Sequence, residues 1–563
     1  MSGLLSWLTG PVDDSCKNMK PSQIIASTLL AAAAVKGVSS VVATVREKGI
    51  KAAFTGYALS ILSAVDISGS LQSKLRDDVI KGMVPQEVLD ADANYELPSE
   101  GMSSEEVLAL LTKWSQGEHK VWGTGKASGA IYHGEPEFLE TLTKAYSLFA
   151  LSNPLHPELF PWVRKMEAEV VRMTIALFHG TSECCGCVTS GGTESILMAM
   201  KAYRDRAAVE KGITQPEVIA CATAHAAFDK AANYFGIKLI SIPADPVTQR
   251  LPMDEVKKRI TKNTVALVAS APGFPHGVID DVPALSQLAL ANGIGLHVDC
   301  CLGSFLIPFA RDFGAKIPDF DFALPGVTSI SADTHKYGFA PKGSSVIMFS
   351  SQKLRQYMYF VSTSWVGGVY ASPTITGSRA GAVIAATWAA MMCMGKQGYK
   401  QHMHAILAAA NQIRDTVKAG AVKGIEVVGD SHLSVVAIGS TDDEDGRNID
   451  IYAVSNAMGK RGWHLNALQK PKCVHLCVTY ANHGHAAEFL TDLQECVADV
   501  RANPGKFKGG AVQIYGLSEA VGESVDASGN GAGMLAELAK TYIDGLTYMP
   551  ERKAGMRVAD DVQ

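Results

Sequence analysis

The sequence predicts an α/β fold: a large domain on a mainly parallel sheet, followed by a smaller α+β domain at the C-terminal end. Two observations lead there. From about Glu135 short β-rich runs alternate with amphipathic helical runs, the signature of strand–helix–strand crossovers with helices on both sheet faces. Past Gly377-Ser378-Arg379 the texture changes to a long Ala/Met-rich helix and a segment of more widely spaced strands. The length agrees, because 563 residues exceed what one hydrophobic core serves and imply two or three domains.

The elements follow in order. Residues 1–66 form an N-terminal segment and 67–135 a connector or arm, in which the charged stretch Lys74 to Glu100 carries Pro85 and Pro98. Ser103-Ser104-Glu105-Glu106 are capping-type residues that open a short helix with Val107, Leu110 and Leu111 on its apolar face. The Gly-rich stretch Gly123 to Gly134, containing Tyr132, reads as a loop. The large domain, 136–380, should hold helices over Glu167–Phe178, Glu194–Ala208, Ala226–Phe235, Asp254–Ile260 and Val282–Ala291. Its strands fall at Cys187–Thr189, Val218–Cys221, Lys238–Ile242, Val265–Ser270, Gly295–Val298 and Ser329–Ala332. The small domain, 381–563, opens with a helix over Ala382–Met394 and has strands near Ser434–Ile438 and Val474–Val478.

Composition excludes some functions. The 51 basic and 56 acidic residues give a net charge of −5, so no basic field suggests nucleic acid. The eleven cysteines include a bunch at Cys184, Cys185 and Cys187 and a pair at Cys300-Cys301, without the two matched pairs of a metal site. They read as buried small hydrophobes, with a regulatory thiol at Cys300 or Cys301 as the alternative. From Gln23 to Thr44 the chain is apolar or small save for Lys36, and Arg46, Lys48 and Lys51 follow. That suits a membrane anchor at about 23–45 with a cytoplasmic flank, although a central lysine costs roughly 3 kcal/mol. The alternative is a soluble Ala-rich helix used in packing.

Chemistry enters with three motifs. Ser190-Gly191-Gly192-Thr193-Glu194 lies between a strand and a helix, His297-Val298-Asp299 ends a strand, and Ser331-Ala332-Asp333-Thr334-His335-Lys336 follows a third. In this order they are what pyridoxal phosphate requires. The lysine amine bonds the cofactor aldehyde, and a carboxylate keeps the pyridine nitrogen protonated so that the ring accepts electrons. A Gly-rich helix entry offers backbone N–H groups to the phosphate.

Three segments resemble the sphingosine-1-phosphate lyases of the group II pyridoxal phosphate-dependent decarboxylase family: Ser152-Asn153-Pro154-Leu155-His156-Pro157, Gly186 to Ser195, and Ser331 to Ser345. The resemblance runs from about Trp114 to Tyr515. It implies the fold type I transferase architecture and a homodimer with active sites at the subunit interface. The reaction it implies is cleavage of the C2–C3 bond of sphingoid base 1-phosphates to phosphoethanolamine and a long-chain aldehyde. It further implies placement on the endoplasmic reticulum membrane with the catalytic domain facing the cytosol.

Residue by residue, the resemblance assigns Lys336 to the cofactor aldehyde, Asp299 to the pyridine nitrogen and His225 to the ring face. Gly191, Gly192, Thr193 and His335 hold the cofactor phosphate, and Gly377 and Ser378 reach it from the other subunit. Tyr132, Asn153, His156 and Lys342 supply the substrate-phosphate site, with Tyr515 nearby. The base for the C3 hydroxyl stays open among Lys336, His225 and a phosphate-linked group. Where the family commonly has Asp-Ala-Cys-Leu-Gly-Gly, this chain has Asp299-Cys300-Cys301-Leu302-Gly303-Ser304, which enlarges two small residues near the ring. The rival readings are an amino-acid decarboxylase, which has no use for a second phosphate site, and an inactive membrane-tethered scaffold.

Overall fold

The computed structural model describes residues 86–89, 91, 94, 96–442 and 448–507; the anchor candidate at 23–45 and Tyr515 lie outside them. The chain divides into two compact units, Met1–Ser103 with Gly509–Gln563, and Ser104–Lys508. The second holds everything that follows.

Its seven-stranded sheet comprises β1 (Cys185–Thr189), β2 (Glu217–Cys221), β3 (Lys238–Ile242), β4 (Thr264–Ser270), β5 (Gly295–Asp299), β6 (Ser329–Ala332) and β7 (Ser345–Phe349), in the order β1-β7-β6-β5-β4-β2-β3. Strands β2 to β6 pair in parallel, whereas β7 runs antiparallel to both β6 and β1. Every residue of β2, β4, β5, β6 and β7 is buried. Two-sided cover by helices explains why these strands read as continuous apolar runs rather than alternating ones. At the edge, β3 exposes Lys238, which pairs with Glu217 at 2.9 Å, a charge that discourages further strand pairing.

The helices are α1 (Ser104–Trp122), α2 (Pro136–Leu148), α3 (Pro161–Leu177), α4 (Gly192–Lys211), α5 (Ala227–Phe235), α6 (Met253–Arg259), α7 (Val282–Asn292), α8 (Gly381–Lys418), α9 (Ile451–Gly459) and α10 (Ala486–Ala502). Helices α2, α9 and α10 were not expected from the sequence and α3 begins at Pro161 rather than Glu167; two further helices differ in extent. Helix α1 is 19 residues long rather than short, and none of its residues is buried; the face of Val107, Leu110 and Leu111 is exposed. Helix α8 continues well past Met394, because Gly395 takes φ 51°, ψ 178° and joins two helical runs across a kink. No helix among the described residues is long and apolar enough to cross a membrane.

A two-stranded ribbon, β8 (Phe360–Ser362) with β9 (Tyr370–Ser372), precedes α8. Beyond α8, strands β10 (Ile425–Val427), β11 (Val435–Ser440), β12 (Asn466–Leu468) and β13 (Cys473–Cys477) form an antiparallel sheet in the order β10-β11-β13-β12. The expected α+β character of the C-terminal region is present.

Candidate active site

The sheet gathers the motifs because each follows the carboxyl end of a strand running in one direction. Ser190 follows β1, His225 lies just past β2, Asp299 ends β5 and Asp333 follows β6. In sheets of this kind ligands bind beyond those ends.

Lys336 sits in a tight turn after β6. Ala340 donates its N–H to Thr334 O at 3.0 Å and Phe339 to Lys336 O at 3.0 Å. Tyr337 fixes the turn to β13's exit by donating to Val478 O at 2.7 Å, and Tyr399 of α8 donates to Gly338 O at 2.9 Å. Ser304, at φ +34°, donates its hydroxyl to Asp333 O. The change from the family's glycine thus adds a tether on the lysine turn while the backbone keeps a conformation that glycine favours.

The Lys336 Nζ lies 2.9 Å from Asp333 Oδ2, and the Asp333 side chain is 2% exposed. Burial works to lower the lysine pKa, but Asp333, with Cys301 and Tyr132 adding to it, makes the net shift upward. Burial likewise works to raise Asp333, which Lys336 and His335 overcome, so the carboxyl stays below its usual range. Asp333 Oδ1 is buried without a hydrogen-bond partner among the described residues.

Gly192 explains its own identity. A Cβ there would fall 2.7 Å from Cys301 Sγ and 2.8 and 2.9 Å from the two Asp333 oxygens. Glycine is required because the α4 entry closes directly onto the carboxylate. Next to it, Glu194 is buried and accepts from Ser190 N at 2.6 Å and from Ile375 N at 3.1 Å, pinning the 373–379 loop to the glycine turn.

Asp299 is buried, and its Oδ1 accepts from Cys301 N at 3.1 Å and Ser331 Oγ at 3.3 Å. Behind it His297, fully buried, bonds Ser329 Oγ at 2.8 Å, and burial lowers its pKa to about 4. Cys301 lies among these groups: burial first, then Asp299 and Asp333, hold its thiol well above the ordinary range while Lys336 opposes. Cys300 is fully buried and raised by the same leading cause. Burial thus disfavours the thiolate of both.

Lys342 Nζ lies 4.8 Å from the Tyr132 ring centroid, and Tyr132 packs edge-on against Tyr337 at 4.9 Å. Burial, chiefly, raises the Tyr132 phenol pKa, with Lys336 opposing. Lys342 is exposed, yet desolvation and then the Lys336 charge lower its pKa, with Asp333 opposing. His335 donates from Nδ1 to Ser344 O at 2.5 Å and faces Asp333 Oδ2 at 3.7 Å from Nε2.

The structure thus brings together Lys336, His335, Gly192, Lys342 and Tyr132, with Asp299 beside Cys301. His225 is exposed, and its Nδ1 accepts from Ala227 N at 3.1 Å at the entry to α5. Asn153, Gly377, Ser378 and His156 form a different group. Asn153 donates to Ser378 Oγ at 3.1 Å and accepts from Arg379 N at 3.2 Å. His156 is half exposed, 3.7 Å from Glu158, and no described contact joins it to Lys342. Sequence reasoning missed Asp333 and Glu194, although both stand inside the quoted motifs. It also missed Glu167, whose partly buried ion pair with Arg379 ties α3 to the 373–379 loop.

The donor set suits pyridoxal phosphate. It combines a lysine on a strand-end turn, a carboxylate oriented by two hydrogen bonds and a glycine cradle that any Cβ would fill. The fold and site define the fold type I class of pyridoxal phosphate enzymes.

Residues 146–438 match the pyridoxal-dependent decarboxylase conserved domain. The chain is 44% identical to sphingosine-1-phosphate lyase 1 of Rattus norvegicus over 542 residues, covering 95% of this chain and 92% of the relative. It is 38% identical to the Arabidopsis thaliana sphingosine-1-phosphate lyase, covering 97% and 98%. The solved sphingosine-1-phosphate lyase of Burkholderia pseudomallei K96243 superposes with a TM-score of 0.71 at 40% identity, over 79% of this chain and 100% of that one. Glutamate decarboxylase of Lactobacillus brevis CGMCC 1306, at 22% identity and a TM-score of 0.62 over 74% of this chain and 97% of its own, shares the fold. The chain belongs to the sphingosine-1-phosphate lyase family of pyridoxal phosphate-dependent enzymes.

Proposed function

We propose that the protein cleaves the C2–C3 bond of sphingoid base 1-phosphates, giving phosphoethanolamine and a long-chain aldehyde. The observation that carries this reading is the cation of Lys342 over the Tyr132 ring, next to the Lys336 turn. It supplies a second anion position beside the cofactor lysine, which a substrate with its own phosphate needs and an amino-acid decarboxylase does not. Lysine and phenol both donate to phosphate oxygens.

In this reading 136–380 carries the cofactor and 381–563 the small domain. Gly191, Gly192, Thr193 and His335 hold the cofactor phosphate, Asp299 keeps a proton on the pyridine nitrogen, and His225 covers the ring. Pyridoxal phosphate, when bound, supplies an electron sink for the charge left at C2. Lys336 would hold the cofactor at its aldehyde, and its Nζ, when free, would carry protons. His225 Nδ1 is taken by the Ala227 N–H, so the neutral ring bears its proton at Nε2 and serves as a donor. The base for the C3 hydroxyl is then Lys336 or a phosphate oxygen.

Asn153, His156, Gly377 and Ser378 act, in this reading, across a homodimer interface, completing the partner's phosphate sites. Mixed dimers of Lys336→Ala and His156→Ala chains test this: one restored site per dimer supports it, and inactivity refutes it. Attachment to the endoplasmic reticulum membrane through 23–45, with the catalytic unit cytosolic, and a role for Tyr515 rest on resemblance. Release of the native protein by alkaline carbonate would rule out the span, and an unchanged KM in Tyr515→Phe would remove Tyr515 from the site.

The direct test incubates the purified holoprotein with a sphingoid base 1-phosphate, alongside Lys336→Ala. Aldehyde and phosphoethanolamine from the unaltered protein alone are expected. Turnover by Lys336→Ala sinks the lysine assignment. A holoprotein that forms no aldehyde rejects the substrate.

A further inference from the structure

Next to Tyr132 in the chain begins a cluster that the reaction does not use. His133 follows Tyr132 in the loop before α2, Glu135 ends that loop, and His402 lies on α8 after the Gly395 kink. One donor atom from each lies within 4.8 Å of the other two. His133 Nε2 is 3.7 Å from Glu135 Oε2, and the His133 side chain is 2% exposed. The Nε2 atoms of both histidines are buried and have no hydrogen-bond partner among the described residues. Two orphaned ring nitrogens at one point cost free energy unless something occupies the space between them.

We propose that His133, His402 and Glu135 form a binding site for a divalent transition-metal ion of the zinc type. The metal clamps the Tyr132 loop to α8 from behind the catalytic pocket.

The hydrogen bonds point to a metal. His402 Nδ1 lies 2.7 Å from Gly398 O. A carbonyl only accepts, so Nδ1 bears the proton and Nε2 presents its lone pair. A backbone carbonyl behind the ring is the usual outer support of a metal-binding histidine. His133 is held more loosely, its Nδ1 accepting from Glu135 N at 3.4 Å, so switching tautomer to free Nε2 costs little.

Two imidazoles and a carboxylate are a zinc ligand set that leaves a position for water. Bonds of about 2.0–2.2 Å require the three donors to draw together slightly. Glu135, 57% exposed on its side chain, has the freedom to do so. The aromatic wall is already in place: Tyr480 stacks on His133 at 5.2 Å and approaches His402 at 4.0 Å, and Phe339, three residues past Lys336, sits 5.0 Å from His133. A bound ion therefore joins the Tyr132 loop, α8 and the edge of the lysine turn.

Equilibrium dialysis of the full-chain holoprotein against zinc chloride, in phosphate-free buffer, tests the site. The unaltered protein is compared with His402→Ala and Glu135→Gln. One tight zinc per chain is expected in the unaltered protein. Both variants should bind it more weakly by more than the about 10–100-fold typical of losing an outer partner. The exposed Glu135 serves as the control that needs no buried substitution. Zinc uptake identical in all three proteins overturns the proposal and leaves a bridging water as the occupant of the cluster.

Discussion

Replacing Asp333 with asparagine isolates the ion pair that the site depends on. The Lys336 to Asp333 separation is 2.9 Å, which at an effective dielectric of about 20 corresponds to about 6 kcal/mol of gross attraction, or about 4 pK units at about 1.4 kcal/mol each. Desolvation of both groups opposes this, so about 4 units is an upper bound. Burial heads the influences on Lys336 and lowers its pKa. With the carboxylate gone, burial and the Lys342 charge should carry the amine below its ordinary value of about 10.4.

The assay is pulsed acylation of the cofactor-free protein across neutral to alkaline pH, with mass spectrometry of the Lys336 peptide. Asp333→Asn should shift the labelling profile toward acid by up to about 4 units. Stability follows the same pair. The raised Lys336 contributes below its unfolded pKa of about 10.4, and that contribution is lost as pH rises through the folded value. The lowered Asp333 contributes above about 3.9, and that contribution is lost as pH falls through its folded value. Between those limits the variant should be less stable by up to about 3–5 kcal/mol, the cost of stripping one partner from a buried pair. Superimposable labelling profiles, with the fold intact by circular dichroism, would refute the reasoning.

Gly192→Ala should weaken cofactor binding by about 10–100-fold in an absorbance titration, because its Cβ lands 2.7–2.9 Å from Cys301 and Asp333 and overpacking costs about 1–3 kcal/mol; unchanged affinity would show that the α4 entry can move aside. Lys342→Ala should raise KM for phosphorylated substrate by at least about tenfold, as expected for a hydrogen bond to a charged group, while cofactor affinity holds; equal losses would place Lys342 at the cofactor phosphate. Glu194→Gln leaves one carbonyl oxygen where the carboxylate had two. One of the Ser190 and Ile375 amides should then exchange hydrogen faster, and protection unchanged at both would show that Glu194 does not pin the loop.

The large sheet was legible because burial on both faces writes each strand as an apolar run bounded by polar turns. Lys238–Ile242 and Ser329–Ala332 stand where the sequence put them and the other expected strands differ by a residue or two, but the antiparallel β7, Ser345–Phe349, was not read from the sequence. Helix α1 was read too short because its apolar residues face no partner within the described unit, so burial imposes no continuous stripe beyond Leu111. Helix α8 was cut at Met394 because glycine breaks the pattern while the chain runs on in nearly the same element. The catalytic motifs were visible through their chemistry. Asp333 and Glu194 were not, because their partners depend on distance in space: a carboxylate against the glycine turn, and another reaching Ile375 far along the chain.

The same distances give the pocket its sign. Of the acidic groups near the lysine turn, Asp333 is committed to Lys336, Asp299 is oriented by Cys301 N and Ser331, and Glu194 is spent on two backbone amides. Lys342 makes no ion pair among the described residues, and Asp333 offsets the Lys336 charge on it only in part. Its pKa is lowered by burial and by Lys336, a strain that an approaching phosphate relieves by returning negative charge to both lysines. In the proposed reading a substrate phosphate gives Lys342 a counter-charge as well as an acceptor, and a substrate lacking that phosphate leaves the Lys336 and Lys342 charges opposed.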